Sequence, residues 1–260
     1  MADHDDAVTL EFAGRVAIVR FNRPAAMNAV DDAIRTGLMR ALKQLDAGDD
    51  ADAIVLTGTG ERAFCAGQDL EESSGVSTST LAGWLNRQHA MYQAVRDVTK
   101  PIVAALNGTA VGAGFQMALM CDLRVAHPGI RMGQSEVRAG LASIVGSYLM
   151  SLQIGHSLNQ QLSLTGELIS GERAHAIGLV NDLVPQEQVL ERAVQRAREL
   201  AALPRTAIRL TKQRFRERTQ AGFEEACTAG IRYQLECYSS GEPARVMEEF
   251  LARRQRKDKP

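Results

Sequence analysis

The chain has 260 residues, with 30 basic side chains against 31 acidic ones and four cysteines. That length builds one sizeable core rather than a peptide module, and the balanced charge leaves no net field to draw the surface to nucleic acid or an anionic membrane. Cys65, Cys121, Cys227 and Cys237 form no C-x-x-C pair, no apolar run is long enough to span a membrane, and the first residues, MADHDDAVTLEF, lack an apolar signal core, so a cytoplasmic protein with reduced thiols is expected.

Apolar runs at residues 8–12 and 16–21, separated by Ala13-Gly14, predict a hairpin, which Pro24 ends by removing a ladder donor. Asp31 or Asp32 can cap the next segment, where Ile34, Leu38, Ala41, Leu42 and Leu45 recur at helical spacing. Residues 53–57 read as a strand closed by Gly58-Thr59-Gly60, and the small-residue loop FCAGQDL follows. Residues 71–80, EESSGVSTST, have almost no apolar content and predict a mobile loop. A helix is expected over 81–98, with Leu81, Leu85, Met91, Tyr92, Val95 and Val98 near one face.

The stretch from Lys100 to Glu136 organises the rest. A strand at 102–106 breaks at Asn107-Gly108, passes through Gly112-Ala113-Gly114 and enters an apolar helix; a strand at 123–126 follows, and then Gly133-Gln134-Ser135-Glu136. A helix start leaves N–H groups without internal partners, and glycines beside it let a bound group approach the main chain. Such a loop can stabilise an oxyanion while Glu136 moves a proton beside it. Residues 140–158 are apolar and small, compatible with one buried helix. Ser170 can cap a short helix ending at Gly178. From Gln186 onward only helices are expected: one to Ala202, one after Pro204, one over 222–238 and one over 242–254.

Other chemistries find less support. The loop spacing G-x-x-x-G-x-G departs from the dinucleotide fingerprint, Gly146-Ser147-Tyr148 lacks the second glycine of a nucleophile elbow, and there is no P-loop. His4, His89, His127, His156 and His175 are too dispersed for a zinc site read from spacing. His89 reads as a satisfied histidine on a helix, Cys65 and Cys121 as small core residues, and Trp84 as a packing residue or a pocket wall.

FCAGQDL, the run KPIVAALNG-x-x-x-GAG-x-x-x-ALMCD, GQSE followed by Gly140-Leu141, and LTGELISGERAHAIGLV together resemble the crotonase superfamily, the enoyl-CoA hydratase/isomerase family, over residues 8–250. The resemblance implies an α/β spiral of ββα units over residues 1–200, a C-terminal helical oligomerisation region over 201–260, and a homotrimer or homohexamer acting on an acyl-CoA thioester. Coenzyme A would enter only as part of the substrate. Carried over by position, the oxyanion hole is the backbone N–H of Gln68 and of Ala113. Contacts to coenzyme A fall at Ala66, Gly67, Asp69, Leu70 and Gly112, with Phe250 and Arg253 approaching from a neighbouring subunit.

Hydratases of that family carry two glutamates, and this chain has Gln116 at the first position and Glu136 at the second. A glutamine can orient a water or a substrate but cannot act as a carboxylate base at neutral pH. One carboxylate suits a double-bond shift from the 3,4 to the 2,3 position, and it also serves hydration in some members. The aspartate used by thioester dehalogenases falls at Ile144 here, which disfavours their reaction. GLASIVGSY replaces the usual G-x-x-P-G-A-G-G, which implies a reshaped acyl pocket. The competing reading is a homologue that binds acyl-CoA but has lost its chemistry.

Overall fold

A computed structural model describes residues 7–257, with side chains described through residue 249. The chain opens with the antiparallel pair β1 (Val8–Ala13) and β2 (Val16–Phe21), then α1 (Asp32–Ala47), whose N-cap Asp31 accepts a 2.9 Å bond from Ile34 N. A repeating pattern follows. β3 (Ala53–Gly58) and β4 (Ala63–Cys65) lead into α2 (Leu70–Ser74) and α3 (Leu81–Asp97). β5 (Ile102–Leu106) and β6 (Thr109–Val111) lead into α4 (Ala113–Met120). β7 (Leu123–Ala126) and β8 (Arg131–Gly133) lead, through a 3-10 turn at Glu136–Ala139, into α5 (Val145–Ser151) and α6 (His156–Thr165). β9 (Ile169–Ser170), α7 (Gly171–Ala176) and β10 (Asp182–Leu183) complete the sheets, and α8 (Val189–Ala201), α9 (Arg205–Ser240) and α10 (Glu242–Lys257) end the chain.

In each turn of this spiral the first strand joins a six-stranded sheet, ordered β1-β2-β3-β5-β7-β10, and the second joins a four-stranded sheet, ordered β4-β6-β8-β9. β2, β3, β5 and β7 run parallel, with Ile18 opposite Val55, Val55 opposite Val103 and Ala105 opposite Val125. The period-2 alternation of these strands divides the core. Val16, Ile18, Val55, Val103, Ala105 and Val125 face Val189, Ala193, Val194 and Ala197 on one stripe of α8. Val19, Phe21, Ile54, Leu56, Ile102, Ala104 and Leu106 face the larger core beneath the remaining helices. Both faces are covered, and so the strands read as nearly continuous apolar runs.

Several expectations are corrected. Part of the segment expected to be mobile, residues 71–80, folds into α2, because Asp69 caps it by accepting from Glu71 N and Glu72 N at 3.0 and 3.1 Å. Glu72 then pairs with the buried guanidinium of Arg35 and accepts a 2.8 Å bond from Trp84 Nε1, tying α2 to α1 and α3. The single helix expected over 140–158 is two shorter ones. The chain turns at Gly140 in left-handed geometry, and extended backbone at Gly155 separates α5 from α6. Conversely, the two helices expected after Pro204 are one helix of 36 residues. Gly222 does not break it: an interior glycine costs only about 1 kcal/mol, and here a Cβ would come within 2.7 Å of the Tyr148 ring. Tyr148 packs in that space and donates its hydroxyl to Thr219 O at 2.7 Å.

Candidate active site

The turn from β6 into α4 needs a glycine at its corner. Gly112 has φ +54° and ψ −120°, a combination that residues with a Cβ avoid, and α4 starts at the next residue. Ala113 is thus the first helical residue, and its N–H finds no acceptor among the described residues. Gly114 lies against β4, where any side chain would overlap the Cys65 carbonyl.

The other loop leaves β4. Val30 and Gln68 form an isolated parallel bridge in which Val30 N donates to Gly67 O at 2.8 Å and Asp69 N donates to Val30 O at 2.9 Å. Because a parallel bridge uses the groups flanking the bridged residue, Gln68 N–H points away from Val30. It also has no acceptor among the described residues. A Cβ built on Gly112 would stand 3.3 Å from Glu136 Oε1 and 3.8 Å from Gly67 Cα. The two glycine loops and Glu136 therefore meet at one place.

Glu136 begins the 3-10 turn after β8. Its Oε1 accepts a 3.1 Å hydrogen bond from Gln116 Nε2, one turn into α4, and its Oε2 is enclosed with no partner among the described residues. The residue as a whole is partly exposed, but the carboxylate end is sealed, and that end decides its chemistry. Burial raises its pKa to about 7, against the smaller opposing effects of its own backbone N–H and the Gln116 amide. A carboxyl poised near neutrality can both take up and release a proton under physiological conditions.

Gln68, Ala113, Gln116 and Glu136 line a single cavity of about 100 Å³. One wall is a stripe of α3, with Leu81, Trp84, Leu85, Gln88, His89 and Tyr92 at helical spacing. Ile144 and Val145 close a second side, and Gly230, Gln234 and Tyr238 of α9 a third. His89 corrects the expectation of a satisfied histidine: its Nδ1 is buried without a partner, and burial lowers its pKa to about 4, which keeps the ring neutral. Trp84 both packs, through its bond to Glu72, and lines the cavity. Gln88 was missed in the sequence, although it falls on the same helical stripe as Leu81, Trp84 and Leu85.

The remaining expected contacts are spread differently. Ala66 and Gly67 precede Gln68 in the first loop, and Leu70 is exposed. Asp69 is committed to the α2 cap and to Arg23, at 2.8 Å. Burial works to raise its carboxyl, but the Arg23 hydrogen bond and the α2 amides outweigh it and hold it below the usual range. Phe250 and Arg253 lie outside the residues whose side chains are described. Among the described residues no group of His, Cys, Asp and Glu is placed to hold a metal ion, and no helix is long and apolar enough to cross a membrane.

Comparison with known proteins finds relatives over most of the chain. The model of the enoyl-CoA hydratase/isomerase family matches residues 11–258. An (E)-benzylidenesuccinyl-CoA hydratase from Thauera aromatica is 36% identical over 207 residues, covering 79% of this chain and 80% of its own. A short-chain-enoyl-CoA hydratase from Clostridium acetobutylicum is 29% identical over 248 residues, 95% of each chain. The crystal structure of carnitinyl-CoA hydratase from Mycobacterium avium superposes with a TM-score of 0.83 at 29% identity, over 96% of this chain and 97% of that one.

Proposed function

The chain belongs to the enoyl-CoA hydratase/isomerase family, and from that membership we propose that it works with a single proton-transferring carboxylate, Glu136, beside an oxyanion hole formed by Gln68 N–H and Ala113 N–H. It is an enzyme of the hydratase/isomerase type, and its substrate is an acyl-CoA thioester. The observation that carries the reading is the buried Glu136 carboxylate, bonded on one oxygen to Gln116 and unpartnered on the other, in one cavity with both free amides.

The chemistry follows from charge. When water adds to the β-carbon of a 2-enoyl thioester, Glu136 takes the water proton, the oxygen–carbon bond forms, and the electron pair moves to the thioester oxygen. Two fixed N–H donors favour that enolate over the ground-state carbonyl. Glu136 then returns the proton to the α-carbon and is regenerated. Gln116 holds Glu136 in place but contributes no second carboxylate. A second reading rests on that lone carboxylate: the same group lifts a proton from the α-carbon of a 3-enoyl thioester and returns it to the γ-carbon. Gln116→Glu is expected to raise the ratio of hydration to double-bond shift at least tenfold, measured with matched 2-enoyl and 3-enoyl thioesters. An unchanged ratio would assign the outcome to cavity shape. Binding without chemistry, the competing reading, has nothing in its favour while Glu136 and both loops stand together.

Coenzyme A contacts at Ala66, Gly67, Asp69, Leu70 and Gly112, with Phe250 and Arg253, belong to the same proposal, and Asp69 would act by shaping the loop, since its side chain, N–H and carbonyl are all engaged. So does a cytoplasmic location, which the four free thiols favour. Residues 201–260 are proposed as the region that assembles a homotrimer or homohexamer. Leu203, Leu210 and Phe215, the last 70% exposed, set apolar surface at and along the first half of α9. Light scattering should give three or six times the 28.2 kDa chain mass; a monomer would remove this part.

A further inference from the structure

The cavity holds more hydrogen-bonding capacity than the proposed reaction uses. Gln88 is 2% exposed, and both its Oε1 and its Nε2 lack partners among the described residues. The Tyr92 hydroxyl lies close enough for the Gln88 amide to act on it, although neither amide atom makes a well-formed hydrogen bond. Gln134 is 1% exposed with Oε1 unpartnered, and His89 Nδ1 is in the same condition. All three residues line the cavity that contains Glu136.

Gln134 also occupies a built place. Its amide lies against Gly146 of α5 so closely that any side chain at 146 would overlap it. Buried amides left without partners are costly, and apolar residues of similar shape would remove that cost. A cavity meant for a plain alkyl group would be lined by such residues. The three groups together offer acceptors at Gln88 Oε1 and Gln134 Oε1, a donor at Gln88 Nε2, and either role on a neutral imidazole. A hydroxyl or a carboxamide, each both donor and acceptor, complements that set. The cavity is about 100 Å³, against the roughly 150 Å³ of a closed cavity that holds benzene, and so it suits a short group.

We propose that this cavity selects a short acyl chain carrying a neutral hydrogen-bonding group, a hydroxyl or a carboxamide, bound by the side chains of Gln88, His89 and Gln134. This rests on the acyl-CoA reading above, and the test separates the two. Wild-type protein is given short 2-enoyl thioesters of equal heavy-atom count ending in methyl, hydroxyl, carboxamide or carboxylate. Turnover and, by calorimetry, the affinity of the saturated thioesters are measured. Hydroxyl or carboxamide tails are expected to exceed the methyl tail at least tenfold in kcat/KM and in affinity, and Gln88→Leu and Gln134→Leu are expected to reverse that order. Gln88→Leu should also raise Tm, since it removes an unpartnered buried amide, whereas a residue with only a structural role would lower it. A methyl or carboxylate tail preferred in both measurements overturns the inference and leaves the family chemistry standing. Binding of polar tails without turnover of any thioester would instead overturn the Glu136 mechanism and keep the selectivity.

Discussion

Glu136→Gln is expected to lower kcat by about 10² to 10⁴-fold, the usual contribution of a positioned proton-transfer group, while the protein stays folded and binds acyl-CoA. The same substitution should make the protein more stable above neutral pH. Burial raises the folded-state pKa from 4.5 to about 7, so the native state holds the proton more tightly than the unfolded chain does. The stability this confers is fully present below pH 4.5 and is lost as pH rises through 7. At pH 8 the wild type therefore carries a buried charge, at a cost of about 3 kcal/mol relative to the neutral form. Urea unfolding at pH 4.5 and pH 8 should show the variant gaining only at the higher pH. In the wild type, kcat/KM should rise with pH through about 7 as the base ionises. Retained turnover in the variant would remove Glu136 from the mechanism.

Gly112→Ala is the second large expected effect. The backbone at φ +54° and ψ −120° strains any residue with a Cβ by about 1–3 kcal/mol, and relief would rotate the peptide that carries Ala113 N–H. Loss of one oxyanion donor costs about 10² to 10³-fold in kcat. Gly14→Ala is the control. It also has positive φ, +66°, with open space around it, and lies in the β1–β2 turn away from the cavity. It should lose stability but keep its turnover. Equal kcat in wild type and Gly112→Ala would sink the oxyanion assignment.

Much of the fold is legible in the sequence wherever a segment is long enough to show its period. The hairpin, α1, β3, α3, β5 and β7 follow from apolar spacing and glycine punctuation. The four-stranded sheet does not, because β4, β6 and β8 have three residues each and β9 has two, too few for alternation to register. Helix breaks fail for a related reason: Gly222 makes room for Tyr148 inside a helix, whereas Gly155 parts two helices, and composition alone does not distinguish them. The Gln68, Ala113 and Glu136 positions came from ordered motifs, and the structure brings them to one cavity. Gln88 is not singled out by its sequence, and His89 reads as a satisfied histidine, because polar residues on a helix ordinarily face water.

The cavity draws on residues from Gln68 to Tyr238, and its third wall is α9. During synthesis the N-terminal sheet emerges and can begin to pack long before that wall exists. A ribosome-bound chain ending before Gly230 would have both glycine loops and Glu136 but would lack Gly230, Gln234 and Tyr238 of that wall. The cavity beside the carboxyl would then be incomplete, and the nascent protein would not yet be a competent catalyst.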